Sequence, residues 1–172
     1  MLNIDILYIH NIWRCVFMKT RVCCFLGHRK ITQSQELKEK LQSIIEKLIM
    51  DQGVDTFLFG SHSEFDDLCL AVVTEIKIRH PHINRIFVRT QYPELDDYNK
   101  ALFTKGYDDT YFPEKIKNAG KYVYVERNYD MIDKSWFCIF YYNENVAKQR
   151  KSGTKIAYDY AIKRKKEIIN VY

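Results

Sequence analysis

From residue 21 onward, short apolar runs rich in β-formers alternate with longer segments of helical period, and few architectures other than an α/β domain with a largely parallel sheet accommodate that alternation. RVCCFLG (21–27) is the first expected strand. Behind it Leu37, Leu41, Ile44, Ile45, Leu48 and Ile49 fall on one helical face, with Thr32 to Gln35 spaced as a capping box and Gly53 as the stop. DTFLFG (55–60) is the next strand. It runs straight into a helix whose inner face is Phe65, Leu68, Cys69, Val72 and Ile76, with Ser63 and Asp66 spaced as its N-terminal cap. RIFVRT (85–90) is the third strand. KYVYVE (121–126) alternates like a fourth, RNYDMIDKS reads as a short helix, and WFCIFYY (136–142) is apolar throughout, as a central strand covered on both faces should be. TKIAYDYAIKRKK predicts a helix with Ile156, Ala157, Tyr160 and Ala161 inward, and EIINVY closes the sheet. The expectation is one α/β domain over residues 18–172, with helices on both faces of the sheet.

Residues 91–120 lose clear periodicity and carry Tyr92, Tyr98, Phe103, Tyr107, Tyr111 and Phe112. They read as a long loop with one short helix. Such a segment is either a lid whose rings stack on a flat ligand or, the preferred reading, an insertion that packs its rings on the body.

Composition narrows the classes. A chain of 172 residues, 47% hydrophobic with only 6 Gly and 3 Pro, is neither disordered nor low-complexity. The net charge of +5 permits an anionic ligand but falls short of a dedicated nucleic-acid binder. The five cysteines, Cys15, Cys23, Cys24, Cys69 and Cys138, lie in apolar runs without a CxxC pair and read as buried free thiols of a reducing cytoplasm. His10, His28, His62, His80 and His82 lack ligand spacing, so no metal is expected. In residues 1–17, Asp5, His10, Asn11 and Arg14 interrupt any signal-peptide core, and the stretch is too short and polar to span a bilayer. It reads as an extension outside the core, a start-site artefact ahead of Met18 or an added edge strand, and no membrane contact is expected.

In an open parallel sheet, ligands bind at the carboxyl ends of the strands, where helix N-termini present unpaired N–H groups. Three junctions fit: Gly27, His28 and Arg29 after the first strand; Gly60, Ser61, His62 and Ser63 leading into Asp66; and Lys151, Ser152, Gly153 and Thr154 after the strand at 136–142. Small residues there let backbone approach a ligand, hydroxyls donate, and two of the junctions add positive charge. Each alone is an ordinary helix cap; together they place one site at one sheet edge, with Arg29 and Ser152–Thr154 converging on it.

At these residues the chain resembles the YpsA-like branch of the SLOG superfamily, Rossmann-like domains related to DprA and to LOG-type phosphoribohydrolases. The matching pieces are CCFLGHR (23–29), FLFGSHSEFDDLC (57–69), RNYDMIDKSWFCIFYY (127–142), which opens on Arg127 and Asn128, and SGTKIAYDYAIKRKKEIINVY (152–172). The resemblance implies a nucleotide-like ligand, similar to ADP-ribose or NAD, held by the glycine-rich junctions together with Arg127 and Asn128, and no further cofactor. Two departures stand out. Ser61 and Glu64 replace two glycines of the family's second junction, so the Glu64 carboxylate either repels a phosphate at that helix start, meets Arg29 or a sugar hydroxyl, or suits the helix dipole and points to water. The glutamate that LOG-type enzymes carry three residues after their Gly-Thr threonine is Ala157 here, which removes the evident general acid or base for that hydrolysis.

The expected function is binding or sensing of a small nucleotide-like molecule. A hydrolase using Glu64 or Asp66 with His28 or Arg29 is the alternative, and a DprA-like DNA binder the third reading. The third draws on Lys148, Arg150, Lys151 and Lys155 beside the run Lys163–Lys166, which reads more simply as a solvated helix end. Nucleic acid is therefore not an expected partner, and a homo-oligomer stays open.

Overall fold

The computed structural model describes residues 20–60, 62–147 and 152–172. The extension at 1–17, Cys15, Ser61 and the basic residues Lys148, Arg150 and Lys151 lie outside the described residues. Six parallel strands form one sheet in the order β4-β3-β2-β1-β5-β6. In chain order they are β1 (Arg21–Gly27), β2 (Val54–Phe59), β3 (Asn84–Val88), β4 (Asp109–Tyr111), β5 (Phe137–Tyr141) and β6 (Glu167–Asn170). The helices are α1 (Gln35–Gln52), α2 (Glu64–Arg79), α3 (Asp97–Phe103), α4 (Val123–Lys134), α5 (Glu144–Ala147) and α6 (Gly153–Lys163). The chain steps outward from β1 to β4, then returns across the sheet to lay β5 on the free side of β1. That reversal sits between β1 and β5 and leaves a crevice at their carboxyl ends.

Alternation along β1 sorts the core into two layers. Cys23 and Phe25 join Phe57, Phe59, Leu41, Ile45, Phe65 and Val72 beneath α1 and α2. Cys24 and Leu26 face the other way, onto Met131, Ile132, Ala157 and Ala161 of α4 and α6. This is the three-layer α/β domain expected. The four cysteines of the described residues are buried free thiols, with Cys24 and Cys138 side by side on β1 and β5 at 3.6 Å between sulfurs. No helix of the described residues is long and apolar enough to cross a membrane.

Three expectations require correction. The cap of α1 is Ser34, whose Oγ accepts the Leu37 N–H at 3.1 Å, rather than the Thr32–Gln35 box, because Gln35 is already the first helical residue. KYVYVE is not a strand. Residues 120–122 make a single 3-10 turn and Val123 begins α4, which buries Arg127, Asp130, Met131 and Ile132 at helical spacing. Packing against the sheet overrides the β propensity of the Tyr-Val alternation. The region at 91–120 holds, besides the expected short helix α3, the edge strand β4, three residues paired to β3. Of its rings, Tyr107 packs on Phe59 and Phe87, and Tyr111 donates its hydroxyl to Asp130 at 2.9 Å, whereas Tyr92 and Tyr98 are exposed.

Candidate functional site

A cleft of about 900 Å³ opens over the carboxyl ends of β1, β2 and β3. Gly27, His28 and Arg29 enter it after β1, Gly60 and Asp66 from the β2–α2 junction, Arg127 and Asn128 from α4, and Ser152, Gly153 and Thr154 from the start of α6. Arg29 and the Ser152–Thr154 turn thus share one wall although more than a hundred residues separate them. Of the positions singled out in the sequence, Ser61 lies outside the described residues and Glu64 is absent from the lining.

Local chemistry fixes these segments. Ser63 Oγ accepts the Asp66 N–H at 3.1 Å and donates to Asp66 Oδ2 at 2.6 Å, which starts α2 and holds the buried Asp66 carboxylate in the wall. Ser152 Oγ accepts the Lys155 N–H at 3.1 Å and starts α6, while Thr154 Oγ1 donates to the Gly27 carbonyl at 3.0 Å and ties that start to the end of β1. The N–H groups of Gly153 and Thr154 donate to no acceptor among the described residues, and the space beside Gly153 is open. The mouth of α6 therefore presents two donors and a helix dipole to the cleft.

Close approach explains two glycines. A Cβ at Gly27 would enter the Phe65 ring. At Gly60 it would lie 2.7 Å from Cζ of Arg127 and 2.6 Å from the Met131 sulfur, so the absence of a side chain is what admits the guanidinium.

Arg127 is 4% exposed, yet among the described residues it makes no ion pair. Its Nε donates to Asn128 Oδ1 at 3.0 Å and its Cζ lies 5.9 Å from the Tyr124 ring centre. Burial pulls its pKa down to about 10, partly offset by the Asp66 carboxylate at longer range, and it stays charged at neutral pH. His28 accepts the Asn143 N–H at Nε2, 3.1 Å away, so that nitrogen carries no proton. Burial lowers the His28 pKa as well, which suits a neutral donor through Nδ1 more than a general acid.

Of the alternatives open for Glu64, the contacts it makes in the structure are those of a loop anchor. Its Oε2 accepts the Ile31 N–H at 3.0 Å and Oε1 lies 3.6 Å from Lys30 Nζ, while its own N–H donates to the Arg29 carbonyl at 3.0 Å. Glu64 fastens the loop that carries His28 and Arg29; its partly exposed carboxylate meets Lys30 instead of Arg29 and does not line the cleft.

Sequence reasoning missed Arg89, which ends β3 and lines the cleft with Thr90 and Gln91, and also Tyr124, hidden in the stretch read as a strand. A cation placed directly after the apolar residues Ile86, Phe87 and Val88, at the carboxyl end of β3, was the available signal for Arg89. A second, open hollow beside β4 holds Lys100, Asp108 and Asp109, but Asp108 is engaged by Arg85 and Lys77, and Asp109 lies 3.9 Å from Lys100. No known protein family and no curated protein matches the sequence, and the functional reading accordingly rests on the chemistry of the cleft.

Proposed function

We propose that the cleft binds a small anionic molecule of nucleotide type, and that the protein is a binding or sensing domain for it. One observation carries the reading: Arg127, 4% exposed, stands in a cleft wall without an ion-pair partner among the described residues. A buried charge of this kind is costly unless an opposite charge arrives to meet it. The unpaired N–H groups at the start of α6 and the exposed Arg29 add donors suited to a phosphate at the same place. The likeness of the four matching pieces, three of them glycine-bearing, to the YpsA-like branch of the SLOG superfamily supports a nucleotide-derived ligand of the ADP-ribose or NAD kind. Buried free thiols suit a reducing compartment such as the cytoplasm.

The alternative of a hydrolase asks for a carboxylate in the cleft. Asp66 is the candidate, but its Oδ2 is committed to Ser63, and Glu64 is turned away. Titration calorimetry against AMP, ADP-ribose and NAD, followed by chromatography of the mixtures, tests both readings. Binding that Arg127→Met weakens at least tenfold, with the nucleotide recovered intact, is the expected result. Absence of binding across the panel overturns the proposal, and a hydrolysis product transfers it to the enzyme reading.

A further inference from the structure

At the far end of the cleft from α6, Arg89 directly follows β3 and is 6% exposed. Three bonds hold it rigidly. Nε donates to Thr110 Oγ1 at 3.1 Å, that hydroxyl donates onward to the Phe87 carbonyl at 2.7 Å, and one terminal nitrogen reaches the carbonyls of Gln91 and Tyr92. The other terminal nitrogen donates to no acceptor among the described residues, and Arg89 forms no ion pair there. Burial lowers its pKa, and the Asp109 carboxylate offsets this only in part. Thr90 and Gln91 line the cleft beside it.

Resting on the anion-binding reading above, we infer that Arg89 forms a second anion subsite, and that the ligand carries two anionic groups on opposite sides of a sugar-sized spacer. The strand order supplies the geometry. Gly27 and the α6 start stand at the end of β1, Gly60 and Arg127 at the end of β2, and Arg89 at the end of β3. Neighbouring strands are roughly 5 Å apart, so the backbone at Arg89 stands about one spacing from the end of β2 and about two, roughly 10 Å, from the end of β1. A pentose phosphorylated at two different hydroxyls, as in a nucleoside 3′,5′-bisphosphate, has the required separation. A fixed guanidinium whose donors form a fork recognises such a terminal phosphate better than a mobile lysine would.

Titration calorimetry of the wild type with the four ribonucleoside 5′-monophosphates and the matching 3′,5′-bisphosphates reads the second subsite directly, before any variant is made. The expected result is tenfold to hundredfold tighter binding of the bisphosphate for the preferred base. In Arg89→Met, and to a lesser degree in Arg89→Lys, that advantage should disappear while affinity for the monophosphate stays within twofold. Equal wild-type affinity for the two ligands, or an Arg89→Met loss shared equally by both, overturns the second subsite and leaves the anion-binding reading standing. Binding of neither ligand overturns both.

Discussion

The guanidinium of Arg127 occupies the space that a side chain on Gly60 would take, with Cζ 2.7 Å from the position of an added Cβ. One methyl group therefore decides whether the buried cation can be seated. Gly60→Ala is expected to lower stability by about 1–3 kcal/mol, because Met131 and Arg127 must both shift, and to weaken anion binding. Chemical denaturation and calorimetry on the same preparation check both. In the double variant with Arg127→Met the two stability changes should not add, since the two residues compete for one volume.

Arg127→Met on its own should move stability and affinity in opposite directions. Removing a buried cation with no ion-pair partner among the described residues relieves a desolvation cost, so the variant is expected to be at least as stable as the wild type, by roughly 0–2 kcal/mol, while anion affinity falls. A loss of several kcal/mol on denaturation would mark Arg127 as a structural residue and remove the argument for a ligand.

Glu64→Ala is expected to cost about 1 kcal/mol in folding through the lost bond to the Ile31 N–H, and to change AMP affinity less than threefold. A tenfold gain in affinity would instead restore the picture of a carboxylate repelling phosphate.

His28 sets a pH dependence whose sign follows from its burial. With its folded pKa held below the ordinary 6.5, the unfolded chain binds the proton more readily. The stability that neutral His28 contributes is therefore complete above about pH 6.5 and is lost as the pH falls below that value toward the folded pKa. Urea midpoints between about pH 7 and pH 5 should decline less steeply in His28→Gln, which removes the titration. An unchanged slope would show that the imidazole does not titrate differently in the two states.

Most of the sheet was readable because β1, β2 and β5 are buried on both faces over most of their length, which leaves near-continuous apolar runs such as Cys23 to Leu26 and Phe57 to Phe59. β4 was not, because three residues at an edge, one of them Asp109, carry no pattern. The start of α4 was misread because Tyr122, Val123, Tyr124 and Val125 alternate locally, and only contact with the sheet shows that Arg127 and Met131 share the inward face of a helix. For the site, glycine and hydroxyl residues at strand ends located three of its walls. Arg89 and Tyr124 belong to it through strand order and helix orientation, which no single segment of sequence reveals.

The bond from Thr154 to the Gly27 carbonyl joins residues 127 positions apart, and β1 takes its second neighbour from β5. During synthesis, then, the first strand leaves the ribosome long before either of these partners exists. At translation rates of about 5–20 residues per second, a nascent chain spends on the order of ten seconds with one side of β1 unpaired and the cleft unformed. A ligand can bind only after α6 has emerged, and until then the open edge of β1, with its run of buried residues from Cys23 to Leu26, is the segment most exposed to mispairing and to chaperone capture.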